Sequence, residues 1–212
     1  LHRLIRRQRQ MCIRDSPFEK IVGSGGRVIP KMEVRIVDED GQALTTGAEG
    51  EITVRGATVM AGYWGDPAAT RERIRNNGWG YTGDYGFLTD EDIVFVTGRK
   101  KELIIRGGQN ISPKEIEDLI MTHPMVEQVA VVGVPDRVLG ERACACIIPK
   151  PGETITFEEL SQFLRSKKIE IHKIPERLEL MESFPLSEGK KVQKYRLREM
   201  VIQKMRQEGA PI

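Results

Sequence analysis

The 212-residue sequence has few of the residues that define secreted, metal-binding or membrane proteins. Its 3 cysteines, Cys12, Cys144 and Cys146, are too few and too unevenly spaced for a disulfide framework or a zinc site. No apolar stretch approaches the roughly 20 residues of a membrane-spanning helix, and no signal-peptide pattern is present. These absences predict a soluble, cytoplasmic protein without a membrane span.

An excess of charge of one sign is also lacking. The 33 Lys and Arg side chains face 31 Asp and Glu side chains, which leaves a formal net charge of +2. No overall basic field therefore favours nucleic acid or an anionic membrane as a partner. Basic residues are concentrated locally in 1–16, where one acid and little apolar periodicity are found. We expect this segment to be non-native or disordered, and it is excluded from the fold prediction.

The part of the chain that follows is rich in strand patterns. Apolar residues alternate with polar ones around Val34 and Ile36 and again around Ile52 and Val54, which predicts two antiparallel strands. Further short apolar segments lie on either side of a polar break at 98–101. This break predicts a junction between two modules near Lys101.

Helix starts are predicted beyond the junction by two capping-box patterns. Ser112 with Glu115, and Thr156 with Glu159, each precede apolar residues at helical spacing. In a capping box the hydroxyl and the carboxylate bind backbone amides that the first helical turn leaves free. A third helix, polar and with few apolar anchors, is predicted over 194–206.

Continuous apolar runs at 129–134 and 143–148 predict two buried strands, and 177–181 predicts a third. Together with the helices, they predict a small mixed sheet that helices cover on one side. The predicted fold class is therefore α+β, with a β-rich module at 17–100 and a small mixed α/β module at 101–212.

Six short motifs follow one another along the chain. They are GEI at 50–52, GYW at 62–64, WGYTGD at 79–84, GRKKE at 98–102, IRGGQNISPKEIE at 105–117 and PLSEGKKVQK at 185–194. In this order and spacing they resemble the core motifs of the adenylate-forming superfamily, and their residues are most similar to those of acyl- and aryl-CoA ligases. The resemblance covers roughly residues 21 to 206.

The resemblance implies an AMP-forming ligase that activates a carboxylic acid as acyl-AMP, releases pyrophosphate and transfers the acyl group to a thiol. It implies ATP, Mg²⁺ and coenzyme A as cofactors. A carrier protein is the alternative acceptor, as in an aryl-acid ligase such as 2,3-dihydroxybenzoate-AMP ligase. The module at 17–100 then corresponds to the C-terminal part of the large AMP-binding domain, and 101–212 to the small rotating lid domain. A stand-alone, non-catalytic interaction or regulatory module derived from this scaffold remains the other reading.

Three site residues around the junction are carried over from the motifs. Asp84 matches the family's ribose-binding carboxylate, since its two oxygens accept hydrogen bonds from vicinal hydroxyls. Arg99 matches a second nucleotide contact, whose planar fork bridges ribose and phosphate oxygens. Lys101 falls on the rotating hinge position. Without the resemblance, Asp84 would be read as a surface turn residue and Arg99 as a solvated linker residue.

Two further positions matter for the thiol-transfer and adenylation steps. Gly107 and Gly108 lack Cβ atoms and would let a phosphopantetheine arm pass close to the backbone, although a hairpin turn explains them equally well. The catalytic lysine of adenylation falls on Lys191 when counted from Pro185 or back from 192–194. Counted from the preceding glycine, it falls on Lys190, which stands where the family usually has glycine. The motif favours Lys191.

The family's phosphate loop, acyl pocket and adenine-stacking aromatic residue all precede the matched region. The resemblance therefore implies that this chain is part of a larger enzyme and is inactive alone. It also implies that the magnesium seat lies in the preceding part, so no metal site is predicted here.

Overall fold

The computed structural model describes residues 24–75 and 78–209. These residues divide into two compact units, the first ending at Lys101 and the second beginning at Glu102. The segment 1–16, with Cys12, lies outside the described residues, so the prediction of a non-native start stays a prediction.

The described part of the first unit is a six-stranded sheet with one short helix. Its elements are β1 (Gly26–Arg27), β2 (Met32–Val37), β3 (Gly50–Gly56), α1 (Pro67–Arg73), β4 (Ile74–Arg75), β5 (Trp79–Leu88) and β6 (Ile93–Arg99). The strand order is β1-β6-β5-β3-β2, β4 pairs with β5, and every pairing is antiparallel. Val34 lies opposite Val54, and Ile36 lies opposite Ile52, which confirms the strand pair predicted from alternation.

One face of this sheet is organised around a buried indole. Trp79, on β5, is buried together with Val37 and Tyr81. The guanidinium carbons of Arg35 and Arg55 lie 4.5 and 4.8 Å from the centroid of the Trp79 ring. Stacking a guanidinium on an indole combines apolar contact with cation–π attraction. Trp79 is therefore a packing residue of the first unit.

The polar break predicted at 98–101 is only partly a break. Gly98 and Arg99 continue β6 and pair with Tyr85 and Asp84 on β5. A single 3₁₀ turn, Lys100–Glu102, follows. Pairing across the hairpin overrides the turn propensity of the glycine, because strand formation depends more on neighbours than on local composition.

The second unit is a mixed sheet with three helices. Its elements are β7 (Ile104–Arg106), β8 (Gln109–Ile111), α2 (Pro113–Ile120), β9 (Val126–Asp136), β10 (Gly140–Pro149), α3 (Phe157–Ser166), β11 (Arg177–Leu180) and α4 (Lys194–Gln207). Strand β10 is central: it pairs antiparallel with β9 and parallel with β11, and it meets β7 at one end. Both strands predicted from continuous apolar runs are present and buried.

Helices cover both faces of this second sheet, so the predicted one-sided arrangement is wrong. Helices α2 and α3 pack on one face through residues such as Ile116 and Leu164. Helix α4 packs on the other through Leu197, Val201 and Met205, against a face that includes the buried Cys144 and Cys146. Leu197, Val201 and Met205 recur every fourth position and form a narrow buried apolar stripe on a mostly polar helix. The expectation of few anchors missed this stripe.

The two predicted capping boxes have different outcomes. Thr156 Oγ1 accepts a hydrogen bond from Glu159 N, and the Glu159 carboxylate accepts one from Thr156 N, so α3 begins with a complete box. Helix α2 begins at the predicted place, but the Ser112 side chain does not cap it, and Pro113 occupies its first turn. Along 24–75 and 78–209, no helix is both long and apolar enough to cross a membrane.

Candidate functional site

Asp84 and Arg99, which the sequence predicts as nucleotide contacts, lie opposite each other on neighbouring strands of the first unit. Arg99 Nε is 2.8 Å from Asp84 Oδ1. The Asp84 side chain is 7% exposed, whereas the Arg99 side chain is 43% exposed. A buried carboxylate thus holds a guanidinium whose outer part faces solvent. This pair presents an oriented anion and cation at one point of the sheet.

The segment of β5 that carries Asp84 is held in place by the threonine of the same motif. Thr82 Oγ1 donates to Ile52 O at 2.7 Å and accepts from Asp84 N at 3.0 Å. The threonine therefore fixes the strand on one side and the aspartate backbone on the other. A bulge in the β3–β5 pairing, between Glu51 and Thr53, accommodates this local rearrangement. These contacts restrict the directions in which the Asp84 carboxylate can point.

Glu51 is a buried carboxylate in the GEI motif at 50–52, and the sequence alone predicts no role for it. Its Oε1 accepts from Gly83 N at 3.2 Å, and its Oε2 lies 2.7 Å from Lys100 Nζ. One side chain therefore ties the turn before Asp84 to the residue between Arg99 and Lys101. The alternating pattern of β3 does not distinguish Glu51 from the other polar residues of the strand, and only its burial shows that it needs partners.

A small cavity lies beside Asp84 on the same face of the sheet. It has a volume of about 50 Å³, and Thr82, Asp84 and Gly26 line it together with apolar side chains of β2, β3 and β6. A volume of this size has room for a few water molecules. The cavity is therefore an edge of the site rather than a pocket for a whole nucleotide.

Lys101, the predicted hinge residue, lies exposed in the 3₁₀ turn between the last strand of the first unit and the first strand of the second. Its neighbours are anchored: Lys100 to Glu51 in the first unit, and Glu102 to Lys194 in the second. Because each neighbour of Lys101 is anchored within its own unit, a change of the backbone angles at Lys101 would disturb the packing of neither unit.

Gly107 and Gly108 form the two-residue turn between β7 and β8. Their φ angles are +56° and +82°, and Arg106 pairs with Gln109 on either side of the turn. Two successive residues in the left-handed region favour glycine, as in a type I′ hairpin. A Cβ on Gly108 would meet nothing within 4 Å. The hairpin reading explains both glycines, and the passage of a pantetheine arm stays a prediction.

The candidate catalytic lysines lie in a tight loop between β11 and α4. Ser187 N donates to Lys191 O at 2.9 Å, and Gln193 N donates to Pro185 O at 2.8 Å. Leu186 and Val192 form an isolated antiparallel bridge. These bonds close the loop, and they hold Lys190 and Lys191, both exposed, at its tip.

Lys190 has a φ angle of +56°, in the left-handed region, whereas Lys191 does not have a positive φ. A residue other than glycine costs roughly 1–2 kcal/mol in the left-handed conformation. This is the backbone setting for which a glycine is suited, and it is found at the position where the family usually has one. The φ angle of Lys190 suits the glycine position, and the assignment of the catalytic lysine to Lys191 stays a prediction.

Comparisons with known proteins identify the family of the chain. The AMP-binding enzyme family matches residues 10–64, and the AMP-binding enzyme C-terminal domain matches residues 115–191. The mitochondrial medium-chain acyl-CoA ligase ACSF2 of Mus musculus is 41% identical over 193 residues, which are 91% of this chain and 31% of that protein. The medium-chain fatty-acid–CoA ligase of Escherichia coli K12 is 34% identical over 195 residues, 92% of this chain and 34% of that protein.

Solved structures show the same relationship. ATP-bound MatB from Rhodopseudomonas palustris has a TM-score of 0.78 at 34% identity, over 86% of this chain and 36% of that one. The o-succinylbenzoate CoA synthetase MenE from Bacillus subtilis, in complex with the acyl-adenylate OSB-AMP, has a TM-score of 0.77 at 30% identity, over 85% and 36%.

The chain belongs to the AMP-binding enzymes, the adenylate-forming superfamily. Within that superfamily, the curated relatives compared above bear the names of acyl-CoA ligases. The chain spans about a third of the length of these relatives.

Proposed function

We propose that this chain is the nucleotide-contacting and lid portion of an ATP-dependent ligase that activates a carboxylic acid and transfers it to coenzyme A. In the first half-reaction, a carboxylate oxygen attacks the α-phosphorus of ATP, and the bond to pyrophosphate breaks. In the second, a thiol loses its proton, its sulfur attacks the acyl carbon, and AMP leaves. The observation that carries the proposal is the Asp84–Arg99 pair, at 2.8 Å, on the motif that the family uses for the nucleotide.

Asp84 and Arg99 are suited to two different parts of a nucleotide. The carboxylate has two acceptor oxygens for the ribose hydroxyls, and its burial keeps water from competing for them. The guanidinium has five donors in a rigid fork, and its side chain is 43% exposed, which suits it to binding phosphate oxygens. Because the carboxylate already orients the guanidinium, both groups are positioned before the nucleotide binds.

Lys191 supplies the cation for the adenylation step. Attack of a carboxylate on a phosphate brings two anions together, and charge builds on the phosphorus oxygens in the transition state. An ammonium on the exposed tip of the lysine loop screens both. The left-handed φ of Lys190 supports Lys191 rather than Lys190 in this role.

Magnesium is implied by the use of ATP, and we propose that its seat lies in the part of the enzyme that precedes the matched region. Among residues 24–75 and 78–209, no group of three or more His, Cys, Asp or Glu side chains is arranged to hold a metal ion. No step above is therefore assigned to a metal.

The test is to measure the two half-reactions separately in the full-length protein, with a panel of carboxylic acids. Asp84→Ala should reduce acid-dependent ATP–pyrophosphate exchange at least about 100-fold, a size typical for loss of a positioned polar group. Asp84→Asn, which keeps the shape, separates the contribution of charge. Asp90→Ala is the matched control, because Asp90 is exposed at the tip of the same hairpin.

Exchange that is unchanged in Asp84→Ala would contradict the ribose role. If none of the acids in the panel supports ATP–pyrophosphate exchange by the wild-type protein, the non-catalytic interaction module would be favoured instead. Thioester formation from a synthetic acyl-AMP, with coenzyme A or a phosphopantetheinylated carrier protein supplied separately, identifies the acceptor.

Lys101 is proposed as the hinge about which the second unit turns between the half-reactions. Lys101→Pro fixes one backbone angle and removes one donor. We expect it to slow one half-reaction at least tenfold more than the other, and equal losses in both would contradict the hinge.

A cytoplasmic location is likewise proposed, and cell fractionation with an antibody against the chain tests it.

A further inference from the structure

Lys194 is the first residue of α4 and forms the base of the lysine loop. Its Nζ lies 2.8 Å from Glu117 Oε1 and 3.0 Å from Glu102 Oε2. The side chain is 21% exposed. One ammonium between two carboxylates joins the loop end to helix α2 and to the residue that directly follows Lys101.

Glu117 extends this junction into the core of the second unit. Its side chain is 18% exposed, and its Oε1 also accepts a hydrogen bond from Val131 N on β9 at 2.7 Å. Burial raises the pKa of Glu117, and the charge of Lys194 opposes that rise. A carboxylate this enclosed is stable as an anion only with a cation beside it, so Lys194 and Glu117 depend on each other.

The position of this junction sets the geometry of the loop. The hydrogen bond from Gln193 N to Pro185 O closes the loop one residue before Lys194. The loop tip is exposed and has few other attachments, whereas its base meets α2, β9 and the Glu102 carboxylate through Lys194. A shift at the base therefore displaces the tip, where Lys191 lies.

We infer that Lys194 is a positioning residue for the adenylation step, holding the base of the lysine loop against Glu117 and Glu102 so that Lys191 reaches the α-phosphate. This inference rests on the proposed ligase function. Lys194 does not touch the reacting atoms in this role. It acts through the placement of Lys191, and Glu102 links that placement to the hinge turn.

A purely structural role is the competing explanation, and the same helix offers a matched control for it. Further along α4, Lys204 Nζ contacts Glu179 Oε2, a carboxylate that is also buried. Lys204 thus makes an ion pair from the same helix to a carboxylate on β11, away from the lysine loop, and Arg177 also contacts that carboxylate. Its removal reports what loss of such a pair does to stability alone.

The experiment compares Lys194→Ala, Lys194→Arg and Lys204→Ala in the full-length protein. Adenylation is followed by ATP–pyrophosphate exchange, and thioester formation is started from synthetic acyl-AMP. We expect Lys194→Ala to lower the rate of adenylation about 10- to 100-fold, the range that a small misplacement of a catalytic group produces. Thioester formation should change less than about threefold, because Lys191 is not used there. Lys194→Arg should restore most of the adenylation rate, and Lys204→Ala should leave both rates near wild type.

Equal losses in both half-reactions for Lys194→Ala, or wild-type rates, would overturn the inference while leaving the ligase function intact. If Lys194→Ala does not fold, Glu102→Gln weakens the junction at an exposed partner and must still lower adenylation selectively. Absence of adenylation in the wild-type protein would refute the proposed function, and the inference would fall with it.

Discussion

The two units bury their apolar side chains in different ways. The second unit has a core on each face of its sheet, with helices over both, and residues such as Ile116 and Leu197 are fully buried. Among its described residues, the first unit has a small cluster around Trp79 on one face, and Ile36, Ile52 and Ile93 are buried outside that cluster. On its other face, valines such as Val34 and Val96 are only half-buried and line a cavity.

This difference indicates that hydrophobic burial stabilises the two units to different extents. Each fully buried aliphatic side chain contributes roughly 1.5–3 kcal/mol relative to exposure. The second unit collects many such contributions, whereas the described part of the first relies more on its antiparallel ladder and on the Arg–Trp stack. Among the described residues, the candidate nucleotide contacts thus lie on the unit with the smaller core, and the lysine loop lies on the unit with the larger one.

The largest expected effect is the difference in stability between the isolated units. Residues 102–209 should unfold in urea as one cooperative transition, because both faces of the sheet are covered. Residues 24–101 should unfold at a clearly lower urea concentration, since half-buried valines contribute less. Circular dichroism follows the unfolding of residues 102–209, whose three helices dominate the signal. Fluorescence follows the unfolding of residues 24–101, because both tryptophans of the chain, Trp64 and Trp79, belong to that peptide. Equal midpoints would contradict the comparison.

A smaller effect is expected from matched core truncations within the whole chain. Ile116→Ala removes a fully buried side chain beneath α2 and should lower the free energy of unfolding of the second unit by about 2–5 kcal/mol. Val96→Ala removes a half-buried side chain from the first sheet and should lower that unit's value by about 1 kcal/mol or less. Urea titrations with the two optical signals measure both. A larger loss for Val96→Ala would show that the first sheet has a tighter core than its burial suggests.

The sequence predicted elements where a local pattern determines them. Alternation located the pair of strands around Val34 and Val54, and the Thr156–Glu159 box located the start of α3, because both depend on neighbours in the chain. Helix α4 was misjudged because its mean polarity hides an apolar stripe of three residues. The face of the sheet on which α4 packs depends on the tertiary structure, because α2 and α3 already cover the other face.

The candidate site shows the same division. Asp84, Arg99 and the lysines were identified from motifs, since the order and spacing of motifs are visible in one sequence. The partners that hold them were not: Glu51 is far along the chain from Lys100, and Lys194 is far from Glu117. Ion pairs between distant segments depend on the completed fold, and a charged residue in a motif does not reveal its partner.

The smallest expected effect concerns backbone strain, which both units contain. Each has two described residues other than glycine with positive φ: Lys31 and Asp92 in the first, Lys168 and Lys190 in the second. Only Lys190 lies in the candidate site. Lys190→Gly should raise the free energy of unfolding of the second unit by up to about 1 kcal/mol, because relief of the left-handed backbone exceeds the added entropy of the unfolded chain. Lys191→Gly, at a position without positive φ, should lower it instead.

Activity makes the same pair of variants decisive for the lysine assignment. In the full-length protein, Lys190→Gly should keep the adenylation rate within about twofold of wild type, since it restores the residue usual at that position. Lys191→Gly should reduce the rate by about 100-fold or more, because the screening cation is lost. The opposite result, a collapse of adenylation in Lys190→Gly with Lys191→Gly active, would transfer the catalytic role to Lys190. It would also mean that a strained residue at the loop tip carries the chemistry, as strained backbone at functional sites sometimes does.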